Sequence, residues 1–291
     1  MCILNKIGIR SQGFFSIGDN PLESFKAMRS YGFVCADFSL FSNTKTSLFE
    51  ADEKEFTDYL RFIKDCAHQA GISFNQAHAP WEAPLRYATP EERAERFDKT
   101  VRAIKGCVAI DCPNLVVHPI MPFGHLNNPN PEEFYRLNVE FFSELIKVAE
   151  EHKIVLCLEN MPFKELTLST PADILSFVKK FNSPYFKVCL DTGHAAVFGI
   201  SLGDAVRQIG KEYLATLHIH DNDGIDDLHL PVFCGVIDWE DFRTALREIE
   251  FDGTISLEIR VQLVKFSSED IESTKITPEE LAKSALWLAD I

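Results

Sequence analysis

Acidic and imidazole side chains recur in this chain at the ends of short apolar runs. His78 follows Phe74-Asn-Gln-Ala, His118 follows Leu115-Val-Val, and Glu159 follows Val155-Leu-Cys-Leu. Asp191 closes Lys187-Val-Cys-Leu, His218 and His220 close Thr216-Leu-His-Ile-His, and Glu258 follows Ile255-Ser-Leu. The steps from 78 to 118, 159, 191, 218 and 258 are 40, 41, 32, 27 and 40 residues. Carboxylates and imidazoles brought together without partners repel or desolvate one another, so such a ring calls for a bound cation. Paired carboxylates beside a cation suit proton removal and return next to a carbonyl. The loops add Asp191-Thr-Gly-His194, whose turn can fold His194 back toward Asp191, and the pair Asp227-Leu-His229.

Residues so far apart meet only if a repeating scaffold returns the chain to one place. The sequence alternates short strand-like runs with longer stretches of helical period. The strands are expected at Lys6–Arg10, Val34–Phe38, Ser73–Ala77, Leu115–His118, Val155–Glu159, Lys187–Asp191, Thr216–His220 and Thr254–Ile259. Between them, Asn20-Pro21, Thr89-Pro90, Asn130-Pro131, Thr170-Pro171 and Thr277-Pro278 each place a capping side chain before a proline. Proline fits the first helical turn because its missing amide needs no partner there. Thr89 with Glu92, and Thr277 with Glu280, fit capping boxes. Gly32, Gly71 and Gly253 stand where the preceding helices should stop. Eight strands with eight helices and no linker predict one α/β domain over residues 1–291, a (β/α)8 barrel. Its active site belongs at the carboxyl-terminal mouth of the strands, where the polar residues lie.

Composition narrows the partners. The chain has 291 residues, with 44 acidic and 29 basic ones, for a formal charge of −15. That field disfavours nucleic acid, and no basic stripe with interleaved aromatics is present; Arg10, Lys45 and Arg86 stand nearly alone in the first three mouth loops. The N-terminus does not read as a secretory signal, and no apolar run approaches the ~18 residues of a membrane span. The eight cysteines have no C-x-x-C spacing and several lie in apolar runs, which points to buried free thiols and a cytoplasmic protein.

At these residues the sequence resembles the xylose isomerase-like barrel superfamily, which holds sugar isomerases and epimerases, inosose and dehydroshikimate dehydratases, and the endonuclease IV nucleases. The resemblance rests on His78-Ala-Pro, His118-Pro, Leu158-Glu159-Asn160, Asp191-Thr-Gly-His194, His218-Ile-His-Asp221-Asn222, Asp227-Leu-His229 and Leu257-Glu258. It implies a divalent metal held by Glu159, Asp191, His218 and Glu258, with Glu159 and Glu258 also exchanging the proton. His218 fits the H-x-x-D pattern with Asp221 better than His220 does, although the family's motif has a single histidine here. His78, His118, His194, Asp227 and His229 match the further ligands of the three-zinc nuclease site, and His220, Asp227 and His229 are candidates for additional metal binding.

The acidity favours the sugar-acting branch over the nuclease. The expected reaction is isomerisation or epimerisation of a sugar or cyclitol through a metal-stabilised enediolate, with dehydration or lysis of a keto-sugar or keto-inositol as the alternative on the same site. A third reading is a non-catalytic barrel whose mouth is an interaction surface. His78, Trp81, His118, His194 and Arg260 are candidates to touch the substrate, Arg260 by steadying an oxyanion or else by pairing within the barrel. Phe14 and Phe15 are candidate walls, with core packing the better expectation, and Asp37 is a hydroxyl contact or a loop hydrogen bond. A mostly oxygen ligand set suits Mn²⁺, Mg²⁺ or Co²⁺; extra histidines would shift it to Zn²⁺. Members of the group form dimers or tetramers, so a homo-oligomer is what the resemblance implies.

Overall fold

Alternating buried strands and amphipathic helices have one compact solution here, a ring of parallel strands inside a ring of helices. A computed structural model describes residues 6–15, 18–82, 85, 87–259 and 277–291. The strands are β1 (Ile7–Arg10), β2 (Cys35–Phe38), β3 (Ser73–His78), β4 (Asn114–Val117), β5 (Val155–Glu159), β6 (Phe186–Asp191), β7 (Leu214–His218) and β8 (Ile255–Leu257). They pair in parallel in the order β7-β6-β5-β4-β3-β2-β1-β8. The two ends of that order meet just beyond β7: the Ile219 amide donates to the Ser256 carbonyl at 2.9 Å, and the Glu258 amide to the Ile219 carbonyl at 3.0 Å. The barrel closes there.

The helices are α1 (Pro21–Ser30), α2 (Ser47–Glu50), α3 (Glu53–Ala70), α4 (Pro90–Ala109), α5 (Pro131–His152), α6 (Pro171–Phe181), α7 (Thr192–Val197), α8 (Leu202–Tyr213), α9 (Trp239–Glu248) and α10 (Pro278–Ala289). All five Asn-Pro and Thr-Pro starts are real: each capping side chain accepts the backbone amide three residues on. Thr89/Glu92 and Thr277/Glu280 form capping boxes in both directions. Among the described residues two helices exceed the expected eight, the short α2 and α7, which follow β2 and β6 ahead of the longer α3 and α8. Strand β7 runs two residues earlier than its sequence pattern, since Ile219 and His220 lie past its last regular pair. Gly253 does not end a helix; α9 stops at Glu248, and Glu250 takes the left-handed conformation instead (φ 53°).

Phenylalanine fills the layer between strands and helices. Phe142, Phe177 and Phe186 join α5, α6 and β6, with Phe142 and Phe186 stacked at 5.2 Å. All three are buried, and truncating one, as in Phe177→Ala, should cost ~3–5 kcal/mol. Inside the barrel, Val116, Cys157 and Cys189 form a separate buried plug. Strand alternation puts Glu159 and Asp191 two residues beyond Cys157 and Cys189, so the plug is the floor on which the polar site stands.

Candidate metal centre

Seven of the eight strands deliver a polar residue at or one step past the carboxyl end, and β2 places Asp37 one step before it. Arg10, His78, Glu159, Asp191 and His218 are the final residues of β1, β3, β5, β6 and β7, while His118 and Glu258 directly follow β4 and β8. Register sets their heights, with Asp191 opposite His218 and Arg10 opposite Asp37. Glu159, Asp191, His218 and Glu258 come together so that one oxygen or nitrogen from each lies within 4.8 Å of the others. All four are buried.

His218 is the centre of this inner cluster. Its Nδ1 lies 3.0 Å from Glu159 Oε1 and 2.8 Å from Glu258 Oε2. On its far side Nε2 donates to Asp37 Oδ2 at 3.0 Å, and Gln76 Nε2 donates to the same oxygen at 3.2 Å. Asp37 is therefore neither a substrate contact nor a loop hydrogen bond; it is buried beneath the site and turns Nδ1 toward the two glutamates. Asn160 holds Asp191 through its backbone, accepting from the Asp191 amide at 2.8 Å and donating to the Asp191 carbonyl at 3.0 Å.

The remaining histidines form an outer arc. His118 Nε2 pairs with Glu159 Oε2 at 2.9 Å, and its ring meets Trp81 edge-on at 4.6 Å. His78 donates Nδ1 to the Ala79 carbonyl at 2.8 Å, and its ring is parallel to His218 at 5.8 Å. His220 turns away from His218's glutamates and sets Nε2 3.0 Å from Asp191 Oδ1. Gly193 makes room for it, because any Cβ there would overlap the His220 ring. His194, His220, Asp227 and His229 make a second cluster. Within it Asp227 Oδ2 lies 3.2 Å from His229 Nε2 and 3.5 Å from His194 Nε2, while the other ring nitrogens bond the Glu258 and Asn160 carbonyls. The sequence left open whether His218 or His220 faces the inner carboxylates, and the geometry puts His218 among them.

Charge follows from these contacts. Burial alone would raise Glu159 and Glu258, but His218 with His118, and His218 with Arg10, hold both well below the usual carboxylate range. For His218 burial opposes the charged form, yet Cys189, Glu258 and Glu159 raise it well above an ordinary histidine. His194 is likewise pushed up to about 10 against its burial by Asp191, Asp227 and Glu159. Burial keeps His78 and His118 below the ordinary value. Glu159 and Glu258 thus share a proton on His218, with Arg10 on Glu258, while Asp191 faces His220 and His194; a divalent cation fits the donor set once the proton on His218 leaves.

Arg260 lies outside the described residues. Phe14 and Phe15 are core, packed on Tyr31 and Phe25. Arg10, counted in the sequence only as a scarce basic residue, reaches the centre: its Nη1 donates to Glu258 Oε1. Its signal was its place at the end of β1, shared with the other site residues. Asp221, conspicuous in the His218-Ile-His-Asp motif, is structural; it accepts from Trp239 Nε1 and the Gly235 amide, each at 2.9 Å, and folds the following loop.

A barrel with this ring at its mouth defines a class. Residues 25–291 match the family model described as a xylose isomerase-like TIM barrel, and the chain belongs to that family. Among its relatives, an uncharacterized protein of Methanocaldococcus jannaschii is 32% identical, covering 71% of this chain and 72% of that protein. The D-psicose 3-epimerase of Ruminiclostridium cellulolyticum is 27% identical over 69% of this chain and 68% of its own. Among solved structures, the IOLI protein with a bound zinc atom superposes with a TM-score of 0.73 at 17% identity, covering 97% of this chain and 96% of that one; this likeness shows the fold alone. Among the described residues no helix is long and apolar enough to cross a membrane.

Proposed function

We propose that this chain is a divalent-metal-dependent isomerase or epimerase of a sugar or cyclitol, acting by proton abstraction next to a carbonyl. The observation that carries the reading is the placement of Glu159 and Glu258, from β5 and the end of β8, at 3.0 and 2.8 Å from His218 Nδ1, with Asp191 in the same cluster. Glu159, Asp191, His218 and Glu258 would hold the cation, and three oxygen donors with one nitrogen suit Mn²⁺, Mg²⁺ or Co²⁺, with Zn²⁺ supported by the zinc-bound structural neighbour. A divalent cation there would polarise the substrate carbonyl and lower the cost of negative charge on its oxygen.

The protein's own groups do the rest. Glu159 and Glu258, both held ionised, stand ready to accept a proton from carbon, one from each side of the mouth. His118 backs Glu159 and Arg10 backs Glu258, which fixes the aim of each carboxylate. Trp81 lies over His118 and offers an apolar face for a sugar ring. His78 and His118, kept neutral, can hydrogen-bond hydroxyls without adding charge, and His194, beside Asp191 and Asp227, is a further candidate for a hydroxyl contact. The name of the D-psicose 3-epimerase relative supports a small keto-sugar as substrate. The seven free cysteines among the described residues, six of them buried, agree with a reducing cytoplasm.

The test is product analysis. Incubation with ketohexoses and keto-inositols plus Mn²⁺ or Mg²⁺ should yield a product of equal mass and changed stereochemistry or carbonyl position. A product lighter by one water would move the chain to the dehydratases, and cleavage of abasic DNA without sugar turnover would overturn the reading.

A further inference from the structure

Arg10 is the only lysine or arginine among the described residues that contacts the inner carboxylates. Its Nη1 is taken by Glu258, but Nε is buried without a hydrogen-bond partner, and Nη2 makes none among the described residues. Nε and Nη2 are the two nitrogens of a guanidinium whose N–H groups point the same way, the fork that matches two oxygens of a carboxylate or phosphate. Asp37, its register partner on β2, does not fill the fork: Asp37 Oδ2 is taken by His218 and Gln76, and Oδ1 is itself unpartnered. Glu258 is shared with His218, so Arg10 has no carboxylate of its own. The Arg10 side chain keeps about a fifth of its surface exposed, unlike the fully enclosed floor of the site. A guanidinium with unfilled donors is costly to bury, and an oxyanion is the partner that offsets that cost best.

We propose that the Nε–Nη2 edge of Arg10 is an oxyanion subsite, so that the enzyme selects keto-sugars bearing a carboxylate or phosphate over neutral ones. This rests on the proposed sugar isomerase reading and names its substrate class. Arg10 then has two duties: one arm fixes Glu258, and the other orients the substrate's charged end relative to the carboxylates that move its proton.

Two measurements separate the ideas. In D₂O with Mg²⁺, solvent-proton exchange is compared for D-fructose, D-fructose 6-phosphate and D-fructuronate. At least one anionic probe should exceed D-fructose about tenfold in kcat/KM, the gain expected of one charge-assisted pair. Arg10→Gln should collapse that ratio toward one, and Arg10→Lys should keep part of it. The second measurement needs no turnover: calorimetric binding of D-glucitol 6-phosphate and D-gluconate, each against D-glucitol, to the Mg²⁺-loaded protein. An anion preference of about tenfold that Arg10→Gln removes supports the subsite, and its phosphate or carboxylate arm names the group. Equal binding of charged and neutral polyols, or a preference unchanged in an Arg10→Gln protein that melts and loads metal normally, overturns it. Absence of exchange with all three probes counts against the isomerase reading, while the polyol series still decides on Arg10.

Discussion

The mouth of this barrel holds two clusters of the same residue types on different foundations. The inner one, Glu159, Asp191, His218 and Glu258, stands at or one step past the ends of four strands, and all four residues are buried. The outer one, His194, His220, Asp227 and His229, is drawn from α7 and the loop after β7, and Asp227 and His229 keep partial exposure. In the inner cluster three carboxylates gather about one imidazole, a donor set that a divalent cation would fit. In the outer cluster three imidazoles surround one carboxylate: Asp227 Oδ2 pairs with His194 and His229, while its buried Oδ1 has no hydrogen-bond partner. Similar residues thus differ in balance: the inner set is rich in carboxylates, the outer set in imidazoles, and under the proposed function the inner set would hold the metal.

The largest expected contrast is in turnover. Glu159→Gln removes a base and a ligand while preserving shape, and should lower kcat by about 10³-fold with an unchanged circular dichroism spectrum. Near-normal activity would show that the inner cluster is not the site. Next comes metal removal. Chelation should abolish activity and lower the melting temperature by about 5–10 °C relative to protein at a hundredfold excess of metal over Kd, both restored by Mn²⁺ or Mg²⁺. An identical melt with and without metal would mean that the fourfold convergence binds none.

Asp37→Asn sharpens the comparison at its base. It loosens the hold on His218 without touching a ligand atom, and should weaken metal affinity about 10–100-fold by titration. Unchanged affinity would reduce Asp37 to packing. The pH response of the metal-free protein has a definite sign. Glu159 and Glu258 are lowered on folding, so their stabilisation is present above about pH 4.3 and lost on acidification. His218 and His194 are raised, so theirs is complete below about pH 6.5 and lost as pH rises, for His194 up to about 10. Metal-free protein should therefore melt highest near pH 5–6 and weaken above pH 7, and bound metal should flatten the alkaline limb. A metal-free melting point still rising from pH 6 to pH 9 would contradict these assignments. The smallest effect belongs to the outer cluster. Asp227→Asn should leave one metal per chain by elemental analysis, whereas loss of metal in that variant, or three tightly bound zinc ions in the parent, would erase the distinction between the clusters.

The fold was legible because its signals are local and repeated: five capped prolines, eight short β-rich runs and polar residues at strand ends all agree. The convergence of Glu159, Asp191, His218 and Glu258 was legible for the same reason, since a strand end fixes where Glu159 or Asp191 must point. The supporting residues were less so. Asp37 looked like any loop acid, because its role depends on His218, 181 residues away. Arg10 meets Glu258 from 248 residues away, because β1 pairs with β8, the strand farthest from it in sequence. His218 and His220, two apart, looked equivalent by strand alternation, but β7 ends at His218 and the chain beyond carries His220 to Asp191.

The central claim is that the inner cluster removes and returns a proton beside a carbonyl with a cation's help. Nuclear magnetic resonance in D₂O, with a panel of keto-sugars and keto-inositols, tests it without knowledge of the product. Deuterium should enter at the carbon next to the carbonyl for at least one member, at a rate abolished by chelator and by Glu159→Gln. No uptake by any member in fully metal-loaded protein, or uptake that persists in Glu159→Gln, would contradict the account.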